Sequence, residues 1–244
     1  KVLMQAAGRP LLAHMIERIR AAPTAERIVI ATTTERRDDA IVTLCQQLEV
    51  DCFRGHPLDC LDRHYQIALL TVADAVVKIP SDCPLIDPRA IDRVLTTWHE
   101  CERPCDFLSN LHPASWPDGN DVEVMSTAAL RAAWNEATDP FDREHTTPFI
   151  WSRPTRFRIA NVTWETGLDY SQRYRWVVDW FEDYSVVREI IEQLSPREGA
   201  AFGVDAIVQL MKQRPDLVAR NALHRGYSHL SARPNAYVSK ENTR

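Results

Sequence analysis

Between Pro10 and Asn110 the chain alternates short β-branched runs with stretches of helical periodicity, and this alternation constrains its fold more than any other feature. "RIVIATTT" (Arg27–Thr34), "DCFRG" (Asp51–Gly55), Ala73–Ile79 and "DFLSN" (Asp106–Asn110) read as strands. Helical patterns lie before and between them. Leu11, Leu12, Met15, Ile16 and Ile19 share one face within Pro10–Arg20, and further patterns run from Asp38 to Leu48, from Leu61 to Leu70 and over 89–100. Parallel neighbours need crossovers of about this length, so the pattern predicts βαβ units and a parallel sheet.

The rhythm changes after Asn110. His112–Ser126 reads as a loop entering an alternating strand, Ala128–Glu136 as a helix and Asp139–Trp151 as a second helical approach. Phe157–Trp164 and Arg175–Trp180 read as strands, and Glu182–Leu194 as an amphipathic helix. Val204–Leu223 suits two short helices broken at Pro215, and the polar Ser231–Arg244 is expected to fray.

Several function classes are disfavoured at this level. A net charge of −5 argues against a general nucleic-acid or membrane-surface binder, which needs a basic face. No apolar run approaches the roughly 18 residues of a membrane span. The six cysteines form no CxxC pair, and reduced thiols in a cytoplasmic protein are the expectation. There is no GxSxG, HExxH or Walker loop.

Two aspartates stand out by position. Asp82, in "IPSDCPLID", follows an apolar run and precedes a helix, which puts it at the carboxyl end of a strand, where open α/β sheets place ligands. Asp179 ends "RWVV" in the same setting. Such a pair can converge on one hard cation such as Mg²⁺, which takes one or two protein carboxylates and leaves other positions to phosphate and water. The alternatives are a turn role for Asp82 and a helix N-cap role for Asp179. In "PDGNDVEV", Asp121 and Glu123 share a face by the period of two, as ligand groups or as solvated acids at a hairpin entry. "REHTTP" gathers Arg143, His145 and two hydroxyls, as a site or as a charged helix face.

Taken in order, "KVLMQAAGRPLLAHMIERI", "RIVIATTT", "FRGHPLDCLDRHYQIA", "SDCPLIDP", "PDGNDVEVMS", "REHTTPFI" and "RWVVDWFEDYSVV" resemble the cytidylyltransferase family that includes CMP-KDO synthetase and acylneuraminate cytidylyltransferases. Within it the chain looks most like the branch of spore coat polysaccharide biosynthesis protein F (SpsF). The resemblance implies an α/β, Rossmann-like nucleotide-diphospho-sugar transferase (GT-A-like) fold over 1–195, with a mixed, mostly parallel sheet flanked by helices. An arm at 112–157 would form the sugar site and dimer contact, followed by a C-terminal helical extension and polar tail over 196–244. It implies attack of a sugar-acid hydroxyl on the α-phosphate of CTP, giving a CMP-sugar and pyrophosphate for surface polysaccharide biosynthesis. Asp82 and Asp179 would hold Mg²⁺, Lys1 would neutralise the triphosphate, and Ser81 would join Lys1 and Asp82 at the nucleotide. Asp121, Glu123, Arg143 and His145 would shape the sugar pocket, with the planar fork of Arg143 suited to a carboxylate.

Further expectations come with the resemblance. Family members carry a strand and a loop of the form RxGSxRLPGK, of which Lys1 matches the last residue. That segment is expected upstream of Lys1, which would account for only 7 glycines in 244 residues. Ser81 stands where the family usually has Gly, which fits only if φ there is negative. The expected partners are CTP, a small acidic sugar and a second copy of the chain, packed on an arm rich in Trp116, Trp134, Phe141, Phe149 and Trp151. Neither nucleic acid nor membrane is expected. The rivals are a sugar-nucleotide-dependent glycosyltransferase of similar fold, whose usual Asp-x-Asp pair "SDC" lacks, and a non-catalytic sugar or nucleotide binder. Pyrophosphate release with CTP separates the three.

Overall fold

The computed structural model describes residues 1–198 and 202–226, so the polar Ser231–Arg244 lies outside the described residues. The chain opens with a short antiparallel hairpin, β1 (Gln5–Ala6) and β2 (Arg9–Pro10), leading into α1 (Leu11–Arg20). β3 (Val29–Thr33), α2 (Asp39–Gln47) and β4 (Asp51–Gly55) form one βαβ unit, with β3 and β4 paired in parallel over their full length. α3 (Cys60–Thr71) follows, capped by the Asp59 carboxylate, which accepts the Asp62 N–H at 2.8 Å. Then come β5 (Ala75–Lys78), α4 (Pro88–Glu100) and β6 (Phe107–Ser109). Asp87 caps α4, with Pro88 in its first turn where a missing N–H does no harm.

The arm contributes β7 (Glu123–Ser126), α5 (Thr127–Glu136), α6 (Pro140–His145) and α7 (Pro148–Trp151), and β8 (Ile159–Asn161) follows it. The four-stranded sheet runs β5-β7-β6-β8. β7 is antiparallel to both neighbours, while β8 is parallel to β6. The register sets Glu123 opposite Lys78 on one side and Ser109 on the other. The start of β7 is therefore level with the ends of β5 and β6, and one sheet edge collects the turns after β5 and before β7.

α8 (Phe181–Glu198), α9 (Val204–Gln213) and α10 (Pro215–Arg220) complete the described chain, broken at Pro215 as the sequence predicts. Val186, Val187, Ile190 and Ile191 of α8 join Ile207 and Met211 of α9 and Leu11 and Ile16 of α1 in the main core. A second core gathers Leu61, Tyr65, Phe107, Met125, Phe149, Ile150 and Trp151 under the arm. Three of the arm aromatics, Trp116, Phe149 and Trp151, are buried by the chain itself, and Trp134 stacks on Tyr65 with ring centroids 4.7 Å apart. They give no argument for a partner surface.

The expected strand over Arg175–Trp180 does not form. The segment is extended but joins no ladder; it makes a single parallel bridge, Asp118 to Arg175. Its N–H groups go to loops instead: Trp176 donates to the Asp118 carbonyl at 3.0 Å and Val178 to that of Asp82 at 2.8 Å. Burial of Trp176 and Val178 explains the strand-like composition without any sheet partner. Close approach also explains Gly119. At φ +110°, a Cβ there would lie 2.6 Å from Cδ1 of Trp176.

Candidate active site

The bond from Val178 to Asp82 joins the two loops that carry the paired aspartates. As a result Asp82 Oδ2 and Asp179 Oδ1 both lie 3.0 Å from Nζ of Lys1. Burial lowers the Lys1 pKa, but the two carboxylates more than offset this and hold it above its ordinary value. Asp179 is shifted the opposite way: burial raises its pKa, and Lys1 and Arg175 together bring it below the usual carboxylate range. Ser81 is exposed in the adjoining turn and is absent from the positive-φ residues, so serine closes this turn without strain.

The donor set fits a hard divalent cation. Two carboxylate oxygens already surround one cationic nitrogen, and oxygen ligands are what Mg²⁺ prefers. Among the described residues no group of three or more His, Cys, Asp or Glu side chains forms a complete cage. A cation held here would take its other ligands from phosphate or water.

Sequence reading missed what fixes Asp179. Arg175, 2% exposed, donates to Asp118 Oδ2 at 2.8 Å, Asp179 Oδ2 at 2.7 Å and Asp183 Oδ1 at 3.1 Å. Asp183 is fully buried and also accepts the backbone N–H groups of Asp179 and Trp180, both at 3.1 Å. One guanidinium cannot offset three carboxylates equally. The surplus appears at Asp118, whose pKa burial pushes up to about 6 against the pull of Arg175. The available signal was a lone arginine inside the apolar run "YRWVV", four residues before one aspartate and eight before another.

The remaining candidates divide into two groups. Asp121 borders the same charges: burial, then Asp118, Asp82 and Glu123, push its pKa up to about 8. Glu123 is not a solvated acid. It is 3% exposed, ion-paired with Lys78, and accepts the Thr147 hydroxyl at 2.7 Å. Burial raises its pKa, but Lys78 outweighs this and brings it below the ordinary value. Arg143 lies apart, its fork closed on Asp59 at 2.6 and 2.7 Å and on the Trp134 carbonyl at 2.7 Å. His145 packs on Phe141 with centroids 4.4 Å apart. Asp59 therefore meets the carboxylate-binding fork that the sequence offered to a ligand.

A thiol–imidazole pair was also missed. Cys60 opens α3, and its Sγ lies 3.5 Å from Nδ1 of His64, one turn on. Thr146 Oγ1 reaches the same nitrogen at 3.5 Å. Burial raises the thiol pKa, but His64 and Thr146 more than compensate and bring it to about 6.

The chain is similar to several known proteins. The profile of one family, described as Cytidylyltransferase, matches residues 1–215. An uncharacterized protein of Methanocaldococcus jannaschii is 31% identical over 192 residues, covering 78% of this chain and 76% of that protein. A 3-deoxy-manno-octulosonate cytidylyltransferase of Solibacter usitatus is 33% identical over 156 residues, 62% of this chain and 61% of the relative. The match thus spans about three fifths of that enzyme's length. A cytidylyltransferase structure from Leptospira borgpetersenii superposes with TM-score 0.83 at 24% identity, covering 93% of this chain and 91% of that one. A CMP:2-keto-3-deoxy-manno-octonic acid synthetase complexed with CTP gives TM-score 0.53 at 14% identity, over 79% and 92% of the two chains. These two likenesses establish the shared nucleotide-binding α/β fold.

Proposed function

The chain belongs to the cytidylyltransferase family, and from that premise we propose that it joins the cytidylyl group of CTP to a hydroxyl of a sugar acid. Pyrophosphate leaves, and the CMP-sugar serves surface polysaccharide synthesis. The observation that carries the reading is the convergence of Asp82 and Asp179 on one cationic nitrogen at a loop-lined sheet edge. Relatives named as 3-deoxy-manno-octulosonate cytidylyltransferases support the choice of a sugar acid.

In this reading Asp82 and Asp179 hold Mg²⁺, which when bound supplies charge neutralisation at the α-phosphate. The chain's own part is positioning, because phosphoryl chemistry asks a protein for alignment and charge rather than covalent steps. Lys1, drawn off the two carboxylates, meets the triphosphate, and the exposed Ser81 turn faces the nucleotide beside it. Asp121, beside Asp82 and Asp118, offers its carboxyl to a sugar hydroxyl. Glu123 shapes the pocket behind it, fixed by Lys78 and Thr147. Arg143 and His145 join the pocket if the sugar acid displaces Asp59 from the guanidinium. The proposed working form is a homodimer in the cytoplasm. Among the described residues no helix is long and apolar enough to cross a membrane.

The test is pyrophosphate release with CTP, Mg²⁺ and a panel of acidic sugars, run beside Asp82→Asn. CTP-dependent release that the substitution abolishes supports the reading. Release that prefers another nucleotide, or that is undiminished in Asp82→Asn, overturns it. So does sugar transfer from a nucleotide sugar without pyrophosphate.

A further inference from the structure

Asn221 lies beyond residue 215, where the family match ends, yet its side chain is built into the support of Asp179. It is 1% exposed. Its amide nitrogen donates to the Arg175 carbonyl at 3.0 Å and to Asp183 Oδ1 at 2.9 Å. The same Oδ1 receives Arg175 Nε, while Oδ2 receives the backbone N–H groups of Asp179 and Trp180. Arg175 Nη2 then grips Asp179 Oδ2 at 2.7 Å, which leaves Oδ1 directed at the Lys1 cation. A second tether comes from the same segment: the His224 ring stacks on Trp180, centroids 4.5 Å apart.

We propose that Asn221 is a positioning residue for Asp179, acting through Asp183 and Arg175, so that the segment after α10 is part of the nucleotide site. The proposal rests on the reading of Asp179 as a cation-holding carboxylate. The physical case is local. Asp183 is fully buried, so an oxygen that loses the Asn221 donor has no solvent to replace it. Arg175 shifts toward that oxygen to compensate and slackens its hold on Asp179. The cation then meets a carboxylate that is no longer pre-oriented.

The test measures Mn²⁺ affinity of the full chain in the presence of CTP without sugar, by the paramagnetic resonance signal of free Mn²⁺. Asn221→Leu keeps the volume and removes the donor. It is expected to weaken Mn²⁺ binding about tenfold. Leu217→Ala, in the same segment at a fully buried apolar site outside the relay, is expected to lower the melting temperature and leave the affinity within about twofold. Unchanged affinity in Asn221→Leu, or an equal loss in Leu217→Ala, overturns the proposal. Should the leucine variant fail to fold, Asn221→Ser decides in its place: a weakened affinity supports the relay and an unchanged one overturns it. Asp179→Asn, measured in parallel, separates the premise from the proposal. Affinity unmoved by that change overturns the reading of Asp179 and the relay with it. Affinity lost there but kept in Asn221→Leu overturns the relay alone.

Discussion

Asp82 and Asp179 are remote in sequence, yet each places one carboxylate oxygen 3.0 Å from the same lysine nitrogen. The ammonium therefore competes with any cation those oxygens are to hold. Lys1→Met is expected to tighten Mn²⁺ binding in the absence of nucleotide by about tenfold, since one charge leaves the site. The same change weakens CTP binding. Titration of free Mn²⁺ and of CTP on one sample reads both effects, and two shifts in the same direction would contradict the competition.

Asp82→Asn is expected to lower turnover on the order of 10²–10³-fold, as loss of a group aimed at developing charge does. Its melting temperature should hardly move, because its ion pair with Lys1 is open to solvent on both sides. Pyrophosphate release and a thermal melt on the same preparation check this.

Glu123 is buried and its ion-pair partner Lys78 is only 19% exposed. Removing one partner strands the other charge, so Glu123→Gln is expected to destabilise the fold by about 3–5 kcal/mol. Replacing both, as Lys78→Met with Glu123→Leu, should cost less than the single change. Urea unfolding of the three proteins measures it, and a double variant weaker than the single would refute the account.

Stability should respond to pH at two groups in opposite ways. The folded pKa of Glu123 is depressed, so its contribution is present above the ordinary carboxylate range and lost as pH falls through the folded value. Asp121 is raised to about 8, so between its unfolded value and pH 8 the folded state binds the extra proton and stability falls as pH rises. Asp121→Asn should accordingly stabilise the protein by a margin that widens from pH 4 to pH 8. Melting temperatures across that range decide, and a margin that narrows would be the wrong sign.

Cys60 is expected to react with iodoacetamide as a thiolate at pH 7 and to lose reactivity below about pH 6. His64→Gln should slow the reaction at pH 7 about tenfold. Cys45, whose thiol burial pushes up to about 12, should stay unlabelled. Peptide mapping of the labelled protein distinguishes the two sites.

The setting of Asp82 was legible because it follows a strand and precedes a helix, a local pattern with a known spatial meaning, whereas Asp179 reaches the same place through the Val178–Asp82 hydrogen bond and without the strand its sequence predicts. The break at Pro215 was legible for an equally local reason. What escaped depends on burial and pairing across the chain. Arg175 and Asp183 look like ordinary surface charge until the interior closes over them, and the same holds for Glu123 opposite Lys78. Arg143 differs: its planar fork suits a carboxylate, as the sequence suggests, and in this structure Asp59 supplies one. "RWVV" read as a strand because burial selects the same residue types whether or not a ladder forms.

The reversed strand at the centre of the sheet has a consequence for timing. β5 leaves the ribosome early but gains its sheet partner only with residues 123–126, and β6 waits for 159–161 to complete its pairing. Asp82 is already synthesised when these pairings close, but Asp179, Asp183 and then Asn221 follow in turn. A nascent chain can fold its sheet around half of the carboxylate pair, and the proposed cation site is complete only once Asn221, just beyond α10, has emerged.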